Sequence, residues 1–216
     1  MGAWAELLER DAFQRAWFTR ELLPRLRLSG GDDGHGPYQR DLEDQGWEIR
    51  AFALRPDDLQ PIICALAVRD EQLALGASAA SSGPGALTKA MREAWSGAVL
   101  VPETGEEVPA PEEVRTPGDH RRLYRWGRQL SEAAFLWEGE GNLDPRELGP
   151  LPQPPDDLIT VTWPSWVCEP LHVVRVLHPD LIPMTFGHGR EPLGRPDVAA
   201  MVREGGASAL FPHPFP

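Results

Sequence analysis

Glu6, Glu9 and Arg10 stand at i, i+3 and i+4 in the stretch "ELLER". On a helix turning about 100° per residue, Glu6 lies midway between the other two on one arc of about 100°. Two carboxylates on one arc supply hard oxygens of the kind Mg2+ takes, and a neighbouring guanidinium clamps phosphoryl oxygens. The spacing therefore suits a magnesium–phosphate ligand. It equally suits a solvated helix face with a Glu6–Arg10 pair worth about 0.3–0.5 kcal/mol. Phe13 and Trp17 continue along the same arc, one and two turns on. A purely solvated face does not usually run into two large aromatics, so the arc is expected to line a cleft. Asp11 and Arg15 interrupt the opposite, Trp4/Leu8 side, so the helix is not cleanly amphipathic.

The other end of the chain reads "FPHPFP", Phe211 to Pro216. Each proline locks φ near −65° and lacks an N–H, so this segment should be extended and stiff. A stiff tail loses little entropy on docking and can carry a carboxylate to a defined point. Composition alone also fits a frayed terminus. The remaining chemistry-bearing residues are dispersed. His120, His172, His178, His188 and His213 occur singly and read as structural or exposed. Cys64 lies in the apolar run "PIICALAV" and Cys168 follows "WPSW", with no partner at metal-ligand spacing. There is no Gly-x-Ser-x-Gly elbow and no Walker lysine loop, so ATP would not bind through a P-loop.

Several elements must position these groups. Residues 3–27 read as a helix unbroken until Pro24, and 38–45 as a short helix ended by Gly46. Strands are expected at 47–54, 61–68 and 72–78, followed by a helix over 86–98 opened by Gly83-Pro84-Gly85. The stretch 101–118 is acidic and proline-rich and reads as a loop. A long helix over 119–139, with Asp119 at its cap, precedes the irregular segment 142–157. Strands at 158–163 and 171–177, a helix at 195–205 and the tail complete a mixed α/β, α+β architecture.

The 216 residues suffice for one large domain, taken as a single unit over 1–216. A net charge of −12 argues against a nucleic-acid surface, which needs basic patches. No apolar run approaches ~18 residues, so no membrane span is expected. The acidic, amphipathic start is not a signal peptide, and two cysteines in such a chain read as reduced thiols in a cytoplasmic protein.

These pieces together resemble the C-terminal half of a YcaO-family domain. The resemblance rests on "AELLERDAFQRAWFTR" at 5–20, "SAASSGPGALTKAMREAW" at 78–95, "GDH" at 118–120, "VVRVLHPDLIPMTFGHGREPLG" at 173–194 and the closing PxPxP pattern. It implies an α+β fold with helices packed on β-sheets and an ATP-dependent cyclodehydratase acting on a ribosomal precursor peptide. In that chemistry a Cys, Ser or Thr side chain attacks the preceding backbone carbonyl, whose oxygen is phosphorylated and lost, leaving an azoline.

Carried over by residue, the resemblance implies Mg2+ ligation by Glu6 and Glu9, and ATP contact by those two acids and Arg10. It implies a catalytic tail of Pro212, Pro214 and Pro216, with the terminal carboxylate of Pro216 as general base. Glu93 in "MREAW" matches a helix that often carries an acid, with no role assigned. The implied partners are the precursor peptide and a ThiF-like or similar leader-binding protein, and a homodimer is compatible with the sequence.

The family's N-terminal nucleotide-site residues have no counterpart in this sequence. Either the sequence is a truncated reading of a longer protein or a separate polypeptide supplies that half, and 1–216 alone should bind ATP weakly without turnover. Two other readings stay open: a non-catalytic relative that docks an enzyme or peptide, and thioamide or amidine formation by the same ATP chemistry.

Overall fold

Small residues at alternate positions of two neighbouring strands set the geometry of this molecule. The structure, a computed structural model, describes residues 2–29, 34–55, 57–100, 107–162 and 173–215. Helix α1 (Gly2–Thr19) and helix α2 (Gly36–Asp44) precede strands β1 (Glu48–Ala53), β2 (Ile62–Arg69) and β3 (Gln72–Ala79). These form one antiparallel sheet in the order β1-β2-β3. Phe52 lies opposite Cys64, and Cys64 opposite Ala77. Asp70 and Glu71, both at positive φ (50° and 66°), form the two-residue turn between β2 and β3 that the natural strand twist favours.

Alternation then assigns the faces. Ile62, Cys64, Leu66, Leu73, Leu75 and Ala77 point to the side of α1, where Leu8, Ala12 and Phe13 cover them. Ile63, Ala65, Ala67 and Ala74 point the other way, against Ala86, Ala90, Met91 and Ala94 of helix α3 (Gly83–Val99). With little more than a methyl group on either side, α3 lies close to the strands. Gly76 marks the tightest point: a Cβ there would stand 2.3 Å from the Ala90 carbonyl oxygen and 2.6 Å from Glu93 Cβ. Ser82 caps α3 by accepting the Gly85 N–H at 3.4 Å.

The expected α+β class holds, and so do the strands and the last helix, to within a few residues at their ends. Two expected helices are shorter. α1 stops at Thr19 rather than running to 27, because Arg20 adopts a left-handed φ of 58° and stacks its guanidinium 3.7 Å over the Trp17 ring. Arg25 and Leu26 then run extended and bridge Phe52 and Leu143, so tertiary pairing overrides good helix formers. The helix expected over 119–139 divides into α4 (Pro117–Trp126), a 3-10 turn at Leu130–Ala133 and α5 (Ala134–Glu138). The break is at Gly127, where a Cβ would lie 2.2 Å from the Leu123 carbonyl oxygen, and at Arg128, with φ of 54°.

Strands β4 (Ile159–Thr162) and β5 (Val174–Leu177) pair antiparallel, and helix α6 (Pro196–Gly205) leads to the tail. No helix among the described residues is long and apolar enough to cross a membrane. Cys64 is fully buried and burial pushes its thiol up to about 12, which suits a structural thiol, while Cys168 and His172 lie outside the described residues.

Candidate functional site

Glu9 approaches the outer edge of the three-stranded sheet from one face, and Glu93 approaches it from the other. β3 is an outermost strand, so alternate backbone N–H groups face away from β2. The Ala79 N–H donates to Glu9 Oε2 at 3.2 Å, and the Ala77 N–H donates to Glu93. Helices on opposite faces thus deliver two carboxylates to one strip of backbone.

The acids repel one another. Burial, then the Glu93 charge and that of Glu6, raises Glu9 to about 8, with the Ala79 N–H and Arg10 offsetting only part. Glu93 is raised as well, chiefly by burial, with Glu6 contributing. Glu6 is 57% exposed and pairs with Arg10. Glu6, Glu9 and Arg10 therefore come together on one turn of α1, as their spacing predicts, and Glu93 joins them. Among the described residues no three metal-ligating side chains converge into a ready-made cage. Mg2+ held with a nucleotide needs only one or two carboxylates beside phosphate and water. Glu6 and Glu9, adjacent on one turn of α1, fit that demand.

One cavity opens on this turn and another on Glu93. One, of about 320 Å3, is lined by Glu6, Arg10, Arg175 and Met184. Among the described residues the Arg175 guanidinium has no ion-pair partner. The other, of about 400 Å3, is lined by Glu93, Ser96, Arg121, Tyr124, Arg125 and Pro214.

The tail is not frayed. Pro212, His213, Pro214 and Phe215 are buried, and Phe211 leads in at φ −67° and ψ 143°, polyproline II geometry. The Phe215 ring lies 4.9 Å from that of Phe13, one turn along α1 from Glu9. Pro214 thereby shares a cavity with Glu93, whereas Pro216 lies outside the described residues. Phe13 and Trp17 are buried beneath the tail rather than lining an open cleft.

α4 is set by its cap. Thr116 and Asp119 form a capping box, and Asp119 accepts the N–H groups of Arg115 and Thr116 at 2.9 and 2.8 Å. Burial alone would raise the Asp119 carboxyl; these bonds and Arg122 hold it well below the usual carboxylate range. Arg125, nearly fully buried, ties α4 to Gln72 and to the Ala98 carbonyl at 3.0 Å.

Sequence reasoning left two acids unassigned. Glu93 carried no role, and only the run of small residues at Ala74, Gly76 and Ser78 on β3 signals that α3 lies close enough to bring it to the edge. Asp11 had read as an interruption. Its fully buried carboxylate accepts from Arg15 at 2.8 Å, Arg55 at 3.2 Å and the Ile182 N–H at 2.8 Å, tying the segment before the tail to α1. No local pattern marks those distant partners.

A heterocyclase in complex with substrate and cofactor superposes with a TM-score of 0.65 at 18% identity, over 98% of this chain and 31% of that one. YcaO from Methanopyrus kandleri, bound with AMPPCP and Mg2+, gives 0.53 at 21% identity over 82% of this chain and 50% of that one. The E. coli microcin synthetase McbBCD complex gives 0.59 at 13% identity, over 99% and 59%. The chain thus spans less than two thirds of each of these structures, and at such identities the likeness is one of fold. No curated protein matches the chain. Residues 1–162 match the family model of the YcaO cyclodehydratases, described as ATP- and Mg2+-binding, and the chain belongs to the YcaO family.

Proposed function

We propose that this chain supplies part of the active site of an ATP-dependent cyclodehydratase that converts Cys, Ser or Thr of a ribosomal precursor peptide into azolines. The observation that carries this reading is the convergence of Glu6, Glu9, Arg10, Glu93 and the tail at one sheet edge. Magnesium-bound ATP supplies the phosphoryl group that turns the backbone amide oxygen into a leaving phosphate.

The chain's own residues hold and orient. Glu6 and Glu9 are the Mg2+ ligands, and a divalent cation would offset the burial and the neighbouring acid charges that raise Glu9 to about 8. Glu93, facing the same cluster, is a third acid available to the cation or its water. Arg10 and Arg175, on the 320 Å3 cavity, contact phosphate oxygens. The larger cavity beside Pro214 receives the precursor peptide. The Pro216 carboxylate is the general base that takes the proton from the attacking thiol or hydroxyl. Ring closure forms the sulfur– or oxygen–carbon bond, and the former amide N–H proton leaves with the phosphate.

A leader-binding protein is a further partner in this reading. The test is reconstitution: the purified chain, candidate partner proteins, precursor peptide and Mg2+-ATP. Loss of about 18 Da per modified residue, with ADP and phosphate released in equal amounts, supports the reading. Unchanged product yield from a Glu6→Ala, Glu9→Ala double variant would falsify it, and would leave a non-catalytic docking role.

A further inference from the structure

Three successive tail carbonyls are each met by a different side chain. Trp17 donates its Nε1–H to the Phe211 oxygen at 3.0 Å, Tyr124 its hydroxyl to Pro212 at 2.6 Å, and His120 its Nδ1–H to His213 at 2.7 Å. The His120 tautomer is set by its surroundings: the Gly187 N–H donates to Nε2 at 3.0 Å, so the proton must sit on Nδ1.

His213 packs its ring 4.3 Å from that of His120, and its Nε2 donates to the Thr185 carbonyl at 2.9 Å. An extended proline-rich strand repeats every three residues, so successive carbonyls point about 120° apart. Donors from α1 and α4 therefore hold three successive carbonyls of the tail. The alternating prolines offer no N–H of their own, so carbonyls are what the strand has to be held by. A slip by one residue would lift Phe215 from Phe13 and His213 from His120.

We infer that Trp17, Tyr124 and His120 are positioning residues that fix the tail's rotation and register, and thereby hold Pro214 at the cavity it shares with Glu93. Its bearing on turnover rests on the proposed cyclodehydratase reading; the docking of the tail does not.

The test uses the purified chain with a trifluoromethyl-phenylalanine at position 215. Tyr124→Phe removes one hydroxyl at almost constant volume, and Trp17→Phe removes one N–H. Each leaves a buried carbonyl without its donor, which should shift the docked–released equilibrium of the tail by roughly 5- to 100-fold. Cleavage after Pro212 or Pro214 by a post-proline endopeptidase should accelerate by that factor. The 19F signal should move from its ring-shifted position beside Phe13 toward that of a free peptide.

In the reconstituted reaction kcat should fall with the released fraction while KM for ATP stays constant. Unchanged cleavage and unchanged 19F shift in both variants would overturn the inference, as would a released tail with full kcat. Release of the tail, combined with full activity in the Glu6→Ala, Glu9→Ala double variant, would sink the cyclodehydratase reading and leave the tail's anchorage standing.

Discussion

Glu9 and Glu93 reach one strand edge from opposite faces of a sheet, taking the backbone N–H groups of Ala79 and Ala77. Burial raises the proton affinity of both acids; the Glu93 charge adds to it at Glu9, and the Glu6 charge adds to it at both. Glu9→Gln and Glu93→Gln keep an acceptor for those N–H groups and remove the repulsion. Both variants should melt at or above the parent temperature at pH 7, while ATP-dependent turnover falls by at least about 100-fold. Differential scanning calorimetry of the purified variants, with phosphate release measured in the reconstituted reaction, checks the pair of outcomes.

Arg175 faces the cavity that also holds Glu6 and Arg10. If it binds phosphate equally in the ground and transition states, Arg175→Ala should raise KM for ATP about tenfold and leave kcat alone. A change in kcat without one in KM would assign it to the transition state instead.

Gly76 sits where sheet and helix α3 come closest. Gly76→Ala forces a methyl group against the Ala90 carbonyl and Glu93 Cβ, and should lower stability by about 3 kcal/mol. Urea denaturation measures this. The neighbouring Gly97, whose Cβ would find 3.6 Å to Ala74 Cβ, should tolerate alanine and serves as the control.

His213 is buried with its pKa depressed from 6.5 to about 3, first by burial and then by the His120 charge. His120 is lowered too, by burial, although the His213 carbonyl and Asp119 partly offset this. In the unfolded chain both bind protons near 6.5. Between that value and the depressed ones the unfolded state therefore holds more protons, and stability falls as pH drops. The stabilisation is whole above pH 6.5 and declines by up to about 1.4 kcal/mol per pH unit per histidine. His213→Asn should flatten the melting-temperature profile between pH 6 and pH 4, a range chosen to lie roughly inside that window.

The helices and strands that carry their own signals were legible from residue types alone. β1, β2 and β3 announce themselves by apolar runs, α3 by Ser82 and Pro84, and the shared turn of Glu6, Glu9 and Arg10 on α1 by their spacing. What was not legible depends on partners distant in the chain. α1 ends at Arg20 because its guanidinium finds Trp17 and Phe135, and because Leu26 finds Leu143, none of which helix propensity registers. The tail's stiffness was readable from its prolines, whereas its burial depends on Tyr124 and His120, almost ninety residues earlier in the chain. Asp11 is the sharpest case. It looked like a flaw in an amphipathic helix and is a buried anchor for two arginines and a backbone amide.

The carboxylates at the rim of β3 have one more consequence. Unsatisfied amides on an outer strand invite a strand from another molecule, and here Glu9 and Glu93 occupy two of them. Alanine at both positions would open that rim to intermolecular sheet growth, so a precipitating sample could pass for a catalytic null. Glutamine, which still accepts from both amides, separates lost chemistry from lost solubility.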